Sequence, residues 1–155
     1  MADEKNSTKE RLKSYIFLRR EVDNQLERLS RMKSDEILPG RRESDGSKHT
    51  ASGNDRMANA IVRRLEYENK ILDEVERKMD EMDVITSAID RLTDSMEREV
   101  LRMRYIDCRG YKHTPWREIA LDLYGDDDEA QMQMVFRIHG RALQNIEEGF
   151  QMHKE

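Results

Sequence analysis

Apolar residues recur along this chain at spacings of three and four, and breaks in that rhythm divide it into helical stretches. In residues 8–33, Leu12, Tyr15, Ile16, Leu18, Val22, Leu26, Leu29 and Met32 form one stripe on an otherwise charged helix, which therefore requires a partner surface. Residues 34–54 lose the rhythm and are rich in Ser, Gly, Asp and basic side chains, so a mobile loop or linker is predicted there. Its Pro39, Gly40, Arg41 and Arg42 read as solvated loop, with nucleic-acid contact as the alternative. A long helix is predicted over 55–92. Leu65, Leu72 and Met79 are spaced by heptads, Val75, Met82 and Ile89 interleave with them, and the seam then shifts to Ile85 and Leu92. At ~1.5 Å per residue this helix spans about 57 Å. Either residues 8–33 fold back on it as an antiparallel hairpin, or the seam pairs with another copy of the chain. A homo-oligomer, dimer favoured, is expected because two helices alone leave apolar surface on both.

Residues 92–146 carry sharper punctuation. Asp94 can cap a helix whose third residue, Glu97, closes a capping box, and Val100, Leu101, Met103, Tyr105 and Ile106 supply its apolar surface. That helix should end near Asp107 or Cys108, ahead of Gly110. Thr114 can cap the next, with Pro115 at the first helical position, and Ile119, Ala120 and Leu123 line one face. Gly125 and three aspartates stop it. In the last helix Val135, Ile138, Ala142, Leu143 and Ile146 should face inward. The plan is that of a helix-turn-helix. The fold class expected is all-α: a hairpin or coiled-coil region over 1–92, with its loop at 34–54, then a helix-turn-helix domain over 93–155.

Composition narrows function more by exclusion. Charged residues make up 39% of the 155 and hydrophobic ones 36%, which suits elongated charged helices better than a large core. The net charge of −5 argues against sequence-independent nucleic-acid binding, and residues 126–155 alone carry three basic and seven acidic side chains. Basic groups for DNA must therefore be a local selection on one face. Cys108 is the only cysteine, so neither an intrachain disulfide nor a thiolate zinc cluster can form. His139, His113, His49 and His153 have no ligand partners at metal spacing, and residues 126–129 lack EF-hand alternation. There is no Gly-rich phosphate loop and no nucleophile with a base and orienting acid, so no enzyme, cofactor or metal is expected. The N-terminus has no apolar signal core and no run reaches membrane-span length, which points to a cytoplasmic protein without membrane association.

The order of these motifs resembles region 4 of sigma-70 factors: LTDSMEREVLRMRYID its entry, TPWREIALDLYG the first helix of its helix-turn-helix, MVFRIHGRALQNI the end of its recognition helix. Tyr105 and Ile106, the W-x-x-I-A from Trp116, and the V-x-R-I-H-x-x-A-L from Val135 are similar to phage regulators of the ArpU and RinA kinds, which activate late transcription. The resemblance implies DNA binding in phage transcription control, in the host cytoplasm. The departures are GDDDEAQMQ, which adds about five residues and four acids where the family has a short turn, and the longer loop CRGYKHTPW. Carboxylates near a helix start suit the helix dipole but sit where a phosphate would dock.

The DNA-facing candidates are Arg137 and Arg141, one turn apart and off the inward face, with Gln131 and Gln133 nearer the start of the helix, where base edges are read. Lys112, Thr114, Trp116 and Arg117 are placed to hold the phosphate backbone. Against this, Arg137 and Arg141 can simply pair with Glu129 or Glu148, and Trp116 can be core. The reading is a sequence-specific regulator on double-stranded DNA whose N-terminal helices dimerise or engage RNA polymerase. Two alternatives remain: a small terminase subunit that recognises phage DNA for packaging, and an interaction module that has lost DNA binding.

Overall fold

A computed structural model describes residues 2–37 and 50–152; among these the chain is all-helical, with no strand. Helix α1 runs Ala2–Ile37, α2 Thr50–Asp90, α3 Ser95–Leu101, α4 Trp116–Tyr124 and α5 Glu129–Met152, and α3 continues as one π-helical turn over Arg102–Ile106. Of the loop expected at 34–54, residues 34–37 belong to α1 and 50–54 to α2. Residues 38–49, with Arg41, Arg42 and His49, lie outside the described residues, as does His153. None of the described helices is long and apolar enough to cross a membrane.

Two compact units emerge, Glu21–Lys78 on one hand and Met1–Arg20 with Met79–Glu155 on the other. Within Glu21–Lys78 the two helical segments run antiparallel. Lys78 pairs with Glu21 at 3.2 Å and Lys33 with Glu68 at 2.9 Å, while the Gln25 side chain donates to Glu74 at 2.8 Å and accepts from Lys78 at 2.9 Å. The hydrogen bond from Lys33 holds the Glu68 carboxyl below the usual carboxylate range. Val22, Leu29, Ile71 and Val75 form the buried seam. The other heptad row does not join it, since Leu65 and Leu72 remain 46% and 44% exposed beside exposed Met57, Ile61 and Val62.

The second unit has two adjoining cores. Leu12 and Ile16 of α1 are buried, and Leu12 joins Ile85 and Ile89 of α2, Leu101 and Tyr105, and Ala142, Ile146 and Phe150 of α5. Val100, Ile119, Ala120, Val135 and Ile138 make the other, so α3, α4 and α5 close on one another. All five residues expected to face inward from the last helix are buried. The Arg11 guanidinium meets Glu81 at 3.0 Å and lies 4.5 Å over the Phe150 ring, and Arg19 donates to the carbonyls of Ile106, Cys108 and Gly110, stitching α1 to the loop. The Cys108 thiol is buried and donates to the Arg104 carbonyl at 3.1 Å.

Local capping matches the sequence at Asp94, whose carboxylate accepts from the Met96 N–H at 2.8 Å. Glu97 does not close the box. It is buried, and its carboxylate accepts from the Asn145 amide at 3.0 and 3.1 Å, tying α3 to α5. The π turn, with the Asp107 N–H donating to the Arg102 carbonyl at 2.7 Å, places Tyr105 inside the core.

Candidate nucleic-acid interface

The candidate interface begins at α4. Pro115 (φ −57°, ψ 143°) is the residue before the helix and not its first turn; its carbonyl accepts the Ile119 N–H at 3.3 Å, and no side chain caps. Thr114 is thus one position too early to cap, and it is half-buried, with its carbonyl accepting from Arg104 at 2.6 Å. Trp116 opens α4 half-buried. The Arg104 guanidinium lies 4.3 Å over its ring, and the rings of Phe136 and His139 meet it edge-on at 5.3 and 4.7 Å. Packing against the Val100–Ile119 core occupies much of this side chain.

Between α4 and α5 stand four residues, 125–128. Gly125 takes φ +70°, the left-handed conformation that lets its N–H return to the Leu121 carbonyl and end α4. Asp126 accepts from the Asp128 N–H at 3.1 Å, and the Asp128 carbonyl receives Met132 at 2.9 Å, so α5 starts at Glu129. The GDDDEAQMQ departure therefore divides into a four-residue turn and the first turn of a helix. A hydrogen bond to Asp126 and the neighbouring carboxylates raise the Asp128 carboxyl above its ordinary range. Arg117 reaches across to Asp127 at 2.9 Å, so this guanidinium is committed within the chain.

The inner side of α5 is fixed by a polar contact inside the core. His139 Nε2 and the Tyr105 hydroxyl share a hydrogen bond of 2.8 Å, and both side chains are buried. Burial, reinforced by Lys9 and Arg104, pushes the His139 imidazole down to about 4, while burial pushes the Tyr105 phenol up to about 12. His113 packs edge-on to Tyr105 at 5.6 Å and is lowered for the same first reason. These histidines are structural in placement.

On the opposite side, at ~100° per residue, Gln133, Arg137, Arg141 and Gln144 fall within about 40° of Arg137. Gln133, Arg137, Arg141 and Gln144 are all exposed. Neither Arg137 nor Arg141 makes an ion pair or side-chain hydrogen bond among the described residues, so the pairing with Glu129 or Glu148 does not occur. Gln131 points elsewhere, about 120° around the helix. It is half-buried and its Oε1 is enclosed without a partner among the described residues. Lys112 is exposed on the loop ahead of α4. An open, shallow hollow of about 590 Å³ lies along α5, lined by Met134, Arg137, Ile138, Gly140, Arg141 and Gln144. Gly140 and Gln144 were not singled out from sequence, although they stand three residues beyond Arg137 and Arg141.

The structure thus gathers Gln133, Arg137 and Arg141 on one face, and ties Thr114, Trp116 and Arg117 into the body of the domain to different degrees. No family model, curated protein or solved structure matches the chain.

Proposed function

We propose that the chain is a sequence-specific DNA-binding regulator of phage transcription, with α4 and α5 as a sigma region 4-like helix-turn-helix and the paired N-terminal helices as a hairpin. One observation carries the reading: Arg137 and Arg141 stand one turn apart on the outer face of α5 with no acidic partner among the described residues, whereas Arg117 is neutralised by Asp127. Two free guanidiniums on an acidic chain are the local basic selection that a duplex requires, and arginine reads guanine or phosphate through paired donors. In this reading α5 enters the major groove with Gln133, Arg137 and Arg141 toward base edges, and Lys112 meets the phosphate backbone. The acids of the turn oppose this less than their number implies, because Arg117 offsets one of them. The N-terminal helices serve a second copy or RNA polymerase.

Arg137→Ala and Arg141→Ala are each expected to weaken binding by about 1–3 kcal/mol and to lower the salt slope by about one, with helicity unchanged. Fluorescence anisotropy against duplexes at two salt concentrations reads both. Unchanged affinity in both variants removes α5 from the interface.

A packaging subunit of small-terminase type is the second reading, favoured by the exposed row of Ile61, Leu65 and Leu72. That row leaves apolar surface for other copies. The two readings part on mass in solution: a dimer is expected for the regulator, and eight or more copies would replace it with the ring.

A further inference from the structure

Of the glycines at 110, 125, 140 and 149, three have an internal reason to be glycine. Gly110 and Gly125 hold φ of +64° and +70°, and a Cβ on Gly149 would lie 3.3 Å from the Ala88 carbonyl oxygen, where α5 crosses the end of α2. Gly140 has neither reason. It sits in the middle of α5, exposed, and a Cβ built on it meets nothing within 4 Å. Glycine inside a helix is disfavoured against alanine because its backbone loses more freedom and no side chain shields the peptide. Nothing within the described residues offsets that cost.

Its surroundings supply a reason from outside. Gly140 lines the open hollow with Arg137 and Arg141, and stands about 60° around the helix from Arg137. Bare backbone beside two unpaired guanidiniums is the surface that lets a polyanion come close, because removing the side chain shortens the distance both cations must span.

We infer that Gly140 is the point of closest approach between α5 and double-stranded DNA, a positioning residue that lets the helix sit deep enough for Arg137 and Arg141 to reach their targets. The inference rests on the DNA-binding reading above. A side chain at 140 lifts the helix and lengthens every contact along this face. The charge of the two arginines favours the phosphates of a duplex over an apolar helix as the occupant.

The test uses the full chain. Wild-type protein is first used to enrich binding duplexes from a random library of about 20 base pairs, a length that covers two turns of DNA. The enriched duplex is then titrated with wild type, Gly140→Ala and Gly140→Leu. Gly140→Ala is expected to raise Tm by about 2–5 °C through helix propensity while binding a few-fold more weakly. Gly140→Leu is expected to keep its helical circular dichroism and to lose about tenfold or more in affinity. Equal affinity of all three proteins for the enriched duplex overturns the inference and leaves the DNA reading standing. If the wild type enriches no duplex, the DNA reading falls and takes the inference with it. A change in self-association on Gly140→Leu with DNA affinity intact also overturns it, assigning this face to a second copy.

Discussion

Leu12→Ala is expected to destabilise the chain by about 2–5 kcal/mol, the range for removing a leucine from a packed core that collapses only in part. Leu12 is 0% exposed and lies in the core with Ile85, Ile89, Tyr105 and Ile146, so the lost methyl groups leave a void bounded by elements far apart in sequence. Leu26, on the same helix, is 41% exposed, and Leu26→Ala should stay within about 0.5 kcal/mol of wild type. Urea titrations followed by far-ultraviolet circular dichroism compare the two midpoints. The contrast matters because both leucines belong to one sequence stripe. If the two variants unfold together, the beginning of α1 does not pack on α5 in solution. If Leu12→Ala alone shifts, α1 is part of the scaffold that seats α5.

That stripe shows what sequence pattern conveys and where it stops. Periodicity marks Leu12, Ile16, Val22 and Leu29 as a face in need of cover, and all four are buried. It does not say which surface covers each, because any apolar partner satisfies the same spacing. The long helix makes the point again: of two interleaved heptad rows, Val75 and Ile89 are buried while Leu65 and Leu72 stay exposed, and Ile71, which belongs to neither row, joins Val75 in the seam. Capping was legible where chemistry is local, as at Asp94. It misled at Glu97, whose carboxylate prefers the Asn145 amide brought up by α5, and at Pro115, whose extended ψ of 143° delays α4 by one residue. The π turn at Arg102–Ile106 had no signal, since one extra residue in a turn changes neither composition nor breaker positions. On α5 the inward face was legible residue by residue, and so was the pair of outward arginines. Gln131 was decidable from spacing alone, for positions two apart on one helix lie ~200° apart, so Gln131 and Gln133 cannot share a face.

Acid should unfold the chain earlier than its carboxylates alone require, with His139 as the cause. Its imidazole titrates near 4 in the folded chain, because it is enclosed and faces the positive Lys9 and Arg104, and near 6.5 when unfolded. Above pH 6.5 it is neutral in both states and exacts no penalty. As pH falls from 6.5 toward 4 the unfolded chain takes up a proton that the folded one refuses, so stability drops through this window by about 3 kcal/mol and levels off below it. His113, also lowered, adds in the same direction. His139→Gln removes the titration while keeping a side chain that can bond the Tyr105 hydroxyl. Its Tm should fall less steeply than that of wild type between pH 6.5 and 4, whereas parallel curves would mean that His139 is not held neutral in the core. The location of the group decides how this bears on function. His139 sits on the inner side of α5, against Tyr105 and Trp116, while Arg137 and Arg141 project from the other. Protonation therefore loosens the seat of the helix and leaves its outer charges as they were, so the DNA binding proposed for this face should disappear at low pH together with the fold and not before it.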